Sequence, residues 1–391
     1  MAMIPVEAGF IPLVDAAPLI IAREMGFAEE EGIDLRLHRQ PSWSVMRDRL
    51  AVGHLQAAHM LAPVPVAMSM GLGGLAVPLD ATMLLSVNGT VIGVSPRLAD
   101  AMRAHGVSND FMAARLVGES LIAVVTETLR VGVPFPFSMH AELLYYWLGS
   151  LGLRAPEGLE VRTIPPPLMA DAMATGEIDA FCVGEPWGSI AVERGVAELI
   201  LPGCAIWRFA PEKVLAMARA MIERDPDLTR RLMRACWRSG RWLSDAAHHM
   251  TTAEILSRPG YLDVAPEIVE RSLSGRLMIS RGGEERQAPR FIEFHGGAAQ
   301  FPWRSQALWI ATRLAARTGL DRGDAAGVAR DCFRADLFRS NLGPVGADMP
   351  GASEKLEGAL PSETPVASST GRLFLGPDSF FDGRIFDPAD H

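Results

Sequence analysis

Residues 7–38, EAGFIPLVDAAPLIIAREMGFAEEEGIDLRLH, contain the signals of one strand–helix–strand unit. The largely apolar residues 7–13 predict a strand, and residues 33–38 alternate apolar and polar side chains as a half-buried strand does. Between them, Asp15 predicts the cap of a helix that ends near Gly32. Such a unit predicts a parallel sheet covered by helices.

The same alternation of strand and helix signals continues along the chain. Further strands are predicted at residues 56–61, 82–94, 121–125, 161–164 and 178–183. Helices are predicted after a cap at Ser42 and at residues 138–151 and 167–175. Residues 211–249 have the pattern of one long helical region, and helical patterns dominate to about Gly319. The sequence therefore predicts an α/β protein.

The order of these elements predicts two α/β lobes around a ligand cleft. We expect residues 1–95 and 205–391 to form lobe 1, with a helical C-terminal return, and residues 96–204 to form lobe 2. Residues 343–371 are rich in Pro, Ser, Gly and Ala and predict an extended surface segment. Ligands in such folds bind in the crevice beyond the carboxyl ends of the strands.

The charge balance limits the class of partner. The 37 basic and 46 acidic residues give a formal net charge of −9, whereas nucleic-acid binding needs a basic face. We therefore expect no direct contact with nucleic acid, and any small-anion site must be a local pocket. The four cysteines are scattered and form no C-x-x-C motif, which fits a reducing compartment.

Neither membrane insertion nor export is expected from the sequence. Residues 60–79 carry no charge, but their three prolines and three glycines are poor residues for a continuous membrane-spanning helix. The first residues lack the basic start and unbroken apolar run of a secretory signal, because Glu7 and Asp15 come before the first basic residue, Arg23. We expect a cytoplasmic protein.

Common catalytic and nucleotide-binding motifs are absent from the sequence. It has no G-x-x-x-x-G-K-[ST] loop, no H-E-x-x-H pair and no G-x-S-x-G turn. Residues 71–76, GLGGLA, match a dinucleotide turn only superficially, since no strand directly precedes them. The histidines lack metal-ligand spacing. We therefore expect no enzyme activity, no cofactor and no metal site.

Several segments together resemble the nitrate/bicarbonate-binding protein family, which NrtA and CmpA represent. The resemblance runs from about residue 7 to residue 310 and is carried by residues 9–13, 15–19, 42–43, 47–48, 58–63, 88–89, 165–167, 181–187 and 211–213, with a final echo at residues 381–383. It implies a type II periplasmic-binding-protein-like fold, in which two α/β lobes enclose a ligand cleft.

Carried over position by position, the resemblance implies a ligand pocket. Its members are Trp43 against the ligand, His140 as a pocket histidine, Pro166 as a wall residue, Gly184 and Glu185 in the loop that lines the cleft, and Lys213. This lysine distinguishes the nitrate binders of the family from the bicarbonate binders, which carry an acidic residue there and use calcium. Thr90 departs from the family pattern, because it stands where the family has glutamine, and its shorter hydroxyl leaves the preference between nitrate and nitrite open.

The implied residues suit a flat, singly charged anion with weak acceptor oxygens. Lys213 supplies a compact charge with three donors, Trp43 a broad apolar face with one N–H, and a neutral His140 one donor. Each has an ordinary alternative role: a solvated surface lysine, a packing tryptophan, and a core or capping histidine. Glu185 would repel the anion, so we expect it to pair with Lys213 or another cation.

The resemblance is greater to the NasS-type cytosolic sensors of this family than to its exported members. It implies a nitrate or nitrite sensor that holds an RNA-binding antiterminator, a NasT-like protein, and releases it when the anion binds. The alternative is the substrate-binding component of a nitrate/nitrite ABC transporter, which would share every pocket residue. Some synthases of a thiamine precursor share this fold, but the sequence offers them no cofactor site or nucleophile.

Overall fold

The computed structural model describes residues 3–75, 77–106 and 110–390 of the chain. Its strands are β1 (Ile4–Phe10), β2 (Ile33–Arg39), β3 (Ala57–Leu61), β4 (Leu79–Asn88), β5 (Thr90–Val94), β6 (Leu129–Val133), β7 (Leu159–Thr163), β8 (Ala180–Gly184), β9 (Glu198–Pro202), β10 (Pro211–Ala218), β11 (Arg276–Met278), β12 (Glu285–Gln287), β13 (Ile292–Glu293), β14 (Thr364–Pro365) and β15 (Phe374–Leu375).

Helices connect and cover these strands. They are α1 (Ala17–Glu24), α2 (Phe27–Glu30), α3 (Trp43–Ala51), α4 (Pro63–Ser69), α5 (Pro96–Ala104), α6 (Ala114–Val124), α7 (Met139–Ser150), α8 (Met169–Ala174), α9 (Trp187–Glu193), α10 (Arg219–Arg224), α11 (Pro226–Leu243), α12 (His249–Leu256), α13 (Pro266–Ser274), α14 (Arg304–Thr318), α15 (Arg322–Cys332) and α16 (Ala335–Leu342). Short 3-10 turns join several of them. In the described ranges, no helix is long and apolar enough to cross a bilayer.

The described strands form two main sheets. The first has six strands in the order β13-β4-β10-β3-β1-β2, and the second has five in the order β7-β6-β8-β5-β9. Strands β1, β2 and β3 run parallel, as do β6, β7 and β8. The strands β10 and β5 run antiparallel to their neighbours. The mixed α/β fold predicted from the sequence is confirmed.

The single strand predicted at residues 82–94 is wrong, because the chain changes sheets inside it. Strand β4 ends at Asn88 in the first sheet, and β5 begins at Thr90 in the second. Asn88 has φ 62° and Gly89 has φ 99°. Left-handed backbone at two successive residues breaks the pleat, and Asn and Gly are the residues that adopt it most readily.

The side chain of Asn88 fastens this crossing to other segments. Its Nδ2 donates to the carbonyl oxygens of Arg208 at 2.9 Å and Arg290 at 3.2 Å, and its Oδ1 accepts the Ala210 N–H at 3.1 Å. Arg208 and Ala210 precede β10, and Arg290 precedes β13, so three passages of the chain meet at one amide. The lobe boundaries expected near residues 95 and 205 stay a prediction beside these observed crossings.

Residues 211–249 are not one helical region, because they begin with strand β10. This strand lies between β3 and β4 in the first sheet, and its residues are buried from Pro211 to Met217. A strand covered on both faces has no polar–apolar alternation, so its sequence lacks the strand signal.

Two further local predictions were wrong, and one was confirmed. Residues 121–125 fall largely within helix α6, not in a strand, because their apolar run belongs to a longer amphipathic helix. Asp15 lies inside a 3-10 turn and caps no helix, and Gly26 at φ 78° divides the predicted helix into α1 and α2. Ser42 does cap α3, since its Oγ accepts the Val45 N–H at 3.2 Å.

Residue 76, the last of the GLGGLA segment, lies outside the described residues.

Replacing Gly89 with alanine should destabilise the fold by about 1–3 kcal/mol, because a residue with a Cβ is strained in this backbone conformation. The added Cβ would also lie 3.2 Å from Ile292 Cδ1. The matched control is Gly149→Ala in helix α7, where an added Cβ meets nothing within 4 Å. That change should stabilise the protein by about 0.5–1 kcal/mol. Urea unfolding measures both, and equal effects would contradict the strain at Gly89.

Candidate functional site

A cluster of buried charged and polar side chains lies where the two sheets approach each other, and we call it the buried centre. Its members are Asp15, Trp43, His59, Thr90, His140, Glu212 and Lys213, all of which are at most 2% exposed. They come from the 3-10 turn after β1, from strands β3, β5 and β10, and from the first turns of α3 and α7. The topology brings these residues together from both sheets.

An irregularity in β10 aims two neighbouring side chains at the same place. The pairing of β10 with β4 shifts register on both sides of Lys213. In a regular strand successive side chains point to opposite faces, and such irregularities re-aim them. Here the Lys213 Nζ donates to Glu212 Oε1 at 2.7 Å.

Lys213 is held by two carboxylates. Besides the contact with Glu212, its Nζ donates to Asp15 Oδ2 at 2.6 Å. The other oxygen of Asp15 lies 2.8 Å from His59 Nε2. Glu212 Oε1 also lies 3.3 Å from His140 Nδ1. One ammonium, two carboxyl groups and two imidazoles thus form a connected network without solvent contact.

Burial and charge set the protonation states of this network. Burial alone would raise the pKa of Asp15, but the charge of Lys213 and the contacts with His59 outweigh it and lower this pKa to about 2. Burial raises the pKa of Glu212 to about 7, although Lys213 opposes the shift. Burial lowers the pKa of both His59 and His140, so these imidazoles are neutral at pH 7.

The centre also contains buried polar atoms that make no hydrogen bond to the described protein atoms. These are Trp43 Nε1, Thr90 Oγ1, both ring nitrogens of His140, His59 Nδ1 and Glu212 Oε2. Buried polar groups are seldom left without a partner, so each atom points to a group that completes it. The ring of Trp43 also lies 5.6 Å from Lys213 Nζ, within reach of a cation–π interaction.

Gly184 forms part of the wall of the centre. A Cβ at this position would lie 3.7 Å from Asp15 Oδ2, 3.8 Å from His140 Nε2 and 3.1 Å from Leu13 Cδ2. An added Cβ would press on Leu13 and would contact the carboxylate and the imidazole, so Gly184 borders both groups. The position predicted for Gly184 thus coincides with the centre, and its contact with a ligand stays a prediction.

Two hydrogen bonds join the loops on either side of the centre. The Val14 N–H donates to the Glu185 carbonyl oxygen at 2.8 Å, and Trp187 Nε1 donates to the Pro12 carbonyl oxygen at 2.8 Å. Val14 and Pro12 follow β1 of the first sheet, whereas Glu185 and Trp187 follow β8 of the second. These bonds join the two sheets directly beside Asp15 and Gly184 in the sequence.

Lys213 pairs with Asp15 and Glu212 and not with Glu185, although the charge of Arg271 lowers the pKa of Glu185. Its Oε2 accepts the Ser189 N–H at 3.2 Å, in the first turn of α9, and its Oε1 has no partner among the described atoms. Burial raises the pKa of this carboxyl to about 7, against the bonds from Ser189. At pH 7 this acid is only partly ionised, and the N–H groups in the first turn of the helix stabilise the charge that it carries.

Thr90 and Pro166 occupy different positions relative to the centre. A Cβ on Gly203 would lie 2.1 Å from Thr90 Oγ1, so this glycine leaves room for the hydroxyl. Pro166 is buried in the 3-10 turn after β7, and no hydrogen bond or ion pair among the described residues joins it to the centre. Its role as a wall residue stays a prediction.

Sequence reasoning missed the acidic half of the centre. Asp15 was expected to cap a helix, and Glu212 had no expected role beyond its place in a motif. Asp15 and Lys213 are 198 positions apart in the sequence, so no local pattern links them. One usable signal was that Asp15 follows a predicted strand, since side chains beyond carboxyl ends of strands line the crevice.

Replacing Lys213 with methionine should lower the free energy of unfolding by about 3–5 kcal/mol, because the change leaves Asp15 and Glu212 buried without their cation. The fold stability provided by Asp15 is present above its ordinary pKa of 3.8 and is lost as the pH falls towards 2. The defect of the variant should therefore shrink in acid.

The matched control is Arg231→Met, which removes the exposed pair with Asp227 and should cost at most about 1 kcal/mol. Urea unfolding between pH 2 and pH 8 measures both variants. Equal losses in the two variants would contradict a structural role for the buried pair.

Comparison with known proteins places the chain in a family. Residues 4–257 match the NMT1-like family. The nitrate/nitrite binding protein NrtA of Synechocystis sp. (strain PCC 6803) is 30% identical over 399 residues, which cover 98% of this chain and 82% of that protein. The nitrate import ATP-binding protein NrtC of the same organism is 32% identical over 314 residues, 80% of this chain, but the match covers only 46% of its own length.

Solved structures confirm the periplasmic-binding-protein-like fold. The crystal structure of the periplasmic nitrate-binding protein NrtA from Synechocystis PCC 6803 superposes with a TM-score of 0.84 and 27% identity, covering 99% of this chain and 96% of that one. The alkanesulfonate-binding protein SsuA from Xanthomonas axonopodis pv. citri has a TM-score of 0.58 at 16% identity, covering 84% and 98%, and shows the fold alone. The chain belongs to the NMT1-like family, among its NrtA- and CmpA-like members.

Proposed function

We propose that this chain binds nitrate or nitrite in the buried centre and acts as a cytosolic sensor of these anions, in the manner of NasS. In this proposal the ligand-free form holds a NasT-like RNA-binding antiterminator and the anion releases it. The observation that supports this ligand class is a single lysine ammonium enclosed together with unpartnered hydrogen-bond donors and an indole face. The NrtA relatives, described as nitrate/nitrite binding proteins, support the same ligand class.

The donors of the centre fit a planar monovalent anion. Lys213 has three N–H bonds, of which two are given to Asp15 and Glu212, and the third, which has no partner among the described atoms, would be given to the ligand. Trp43 Nε1, Thr90 Oγ1 and one nitrogen of a neutral His140 add uncharged donors. Among the described residues, no group of three or more His, Cys, Asp or Glu side chains is arranged to hold a metal ion. This favours nitrate or nitrite over a calcium-dependent bicarbonate site.

The sensor role requires that the anion distinguish two forms of the protein. A ligand shifts an equilibrium only by its difference in affinity for the two states. The bonds from Val14 to Glu185 and from Trp187 to Pro12 exist only when the loops of the two sheets meet. An anion held between the sheets would favour this closed form, and a partner that prefers an open form would be released.

The alternative is the substrate-binding component of a nitrate/nitrite ABC transporter. The observation in its favour is the likeness to a periplasmic nitrate-binding protein over nearly the whole of both chains. Both functions use the same centre, so the ligand alone does not separate them. They differ in partner: the sensor needs a soluble RNA-binding protein, and the transporter component a membrane permease.

Calorimetric titration with nitrate, nitrite and bicarbonate, each with and without calcium, should show calcium-independent binding of nitrate or nitrite. Thr90→Val removes one unpartnered donor with little change in volume. It should lower the affinity for the anion about fivefold, which corresponds to one net hydrogen bond. The control is Thr252→Val on α12, another buried threonine whose hydroxyl has no partner among the described atoms. Binding of bicarbonate alone would contradict the proposed ligand class. Equal effects of the two changes would show that Thr90 does not contact the anion.

A complex of the chain with its antiterminator should dissociate when nitrate or nitrite is added. The measurement is size-exclusion chromatography of material copurified with the tagged chain, in sodium nitrate or sodium nitrite and in sodium chloride of equal ionic strength. The matched variant is Lys213→Met, tested if it folds, which should keep the complex in nitrate because it lacks the anion-binding charge. A complex that persists in both nitrate and nitrite for the unmodified chain would contradict the sensor and leave the transporter role.

A further inference from the structure

Glu212 is the one member of the network with an oxygen that is buried and unused. Its Oε1 accepts from Lys213 and lies near His140, but its Oε2 has no partner among the described atoms. The residue is 0% exposed, so no solvent completes this oxygen from outside. A buried carboxylate oxygen in this state is costly unless it gains a proton or a donor.

The charges of the centre do not favour binding of an anion without an accompanying proton. Lys213 contributes one positive charge, whereas ionised Asp15 and ionised Glu212 contribute two negative charges. An added nitrate would bring the enclosed total to −2, in surroundings where charges interact strongly. If Glu212 carries a proton, the total with the anion is −1, and the centre is neutral before the anion enters.

We propose that Glu212 is a proton-carrying specificity residue, so that nitrate or nitrite binds together with one proton on Glu212 Oε2. This inference rests on the proposed ligand class. The proton comes from solvent and forms an O–H bond at Oε2, while Oε1 continues to accept from Lys213. The carboxylic acid then offers its O–H to the anion, and the repelling oxygen becomes a donor.

Other titratable groups face Glu212 from the elements packed around it. Lys213 lies on its own strand, Asp15 on the turn after β1, His140 on α7 and Cys182 on β8. Asp15 keeps its ionised form because both its oxygens are bonded, to Lys213 and His59. Burial raises the pKa of the Cys182 thiol, which therefore stays protonated. His140 is the competing site for the proton.

The direction of the pH dependence follows from the closed form before the anion enters. Burial raises the pKa of Glu212 to about 7, so the acid is mostly protonated at pH 6 and mostly ionised at pH 8. Binding of the anion should therefore be accompanied by almost no proton uptake at pH 6 and by uptake of close to one proton at pH 8. Above about pH 7 the affinity should fall by up to tenfold per pH unit, as linkage requires for one proton.

The test is calorimetric titration with sodium nitrate and sodium nitrite from pH 6 to pH 8.5, with pH 8 measured in both bicine and Tris. These buffers differ in ionisation enthalpy, so the difference in observed heat gives the number of protons taken up. The wild-type chain should take up close to one proton at pH 8. The Glu212→Gln variant should take up none, and its affinity should be flat across the range.

The matched control is Glu357→Gln, which alters another fully buried acid that pairs with a lysine, Lys355, outside the centre. It should retain the proton uptake of the wild type. Anion binding by the wild type without proton uptake would overturn this inference but leave the proposed ligand. Proton uptake that persists in Glu212→Gln would also overturn it, by assigning the proton to His140.

Absence of anion binding at every pH would refute the ligand and the inference together. If the Glu212→Gln variant does not fold, the buffer pair on the wild type still decides whether a proton enters with the anion.

Discussion

A lysine ammonium enclosed between two carboxylates is the constraint to which the rest of the centre is adapted. Removing a charge from water costs several kcal/mol, and only close partners with good geometry offset it. Asp15 meets that requirement because it lies in the 3-10 turn that follows the first strand of one sheet, and Glu212 meets it because an irregularity in β10 turns it towards its neighbour. His59 then fixes the second oxygen of Asp15. The charged network thus connects strands β1, β3 and β10 at the level where the chain passes between the sheets.

The same crossing explains why the centre is enclosed. Strand β10 returns the chain from the second sheet to the first, beside the passage at Asn88 and Gly89. The amide of Asn88 bonds to backbone near Arg208 and Arg290, so the passages are held in register. Lys213 lies only five positions after Arg208 in the chain. Any change in the angle between the sheets would therefore act close to the lysine.

Local signals in the sequence predicted the parts of the fold that depend on local physics. Ser42 caps a helix and residues 33–38 alternate, so both elements were found. Strand β10 was missed because burial on both faces removes the alternation, and the break at Asn88 was missed because a strand signal carries no information about which sheet it joins. The pocket residues came from a family resemblance, and the acids around Lys213 were missed because their contacts are set only by the tertiary fold.

A centre with little or no net positive charge bears on the kind of anion that it tolerates. A strongly basic pocket would hold phosphate and sulfate more tightly than nitrate, because attraction grows with the charge of the ligand. In this centre Asp15 alone balances the charge of Lys213, and Glu212 adds no positive charge, so a second negative charge on the ligand meets repulsion without a second cation to offset it. Uncharged donors on Trp43, Thr90 and His140 do not discriminate by charge in this way. Pairing the lysine with acids therefore lowers the affinity for any anion but favours monovalent anions over multivalent ones.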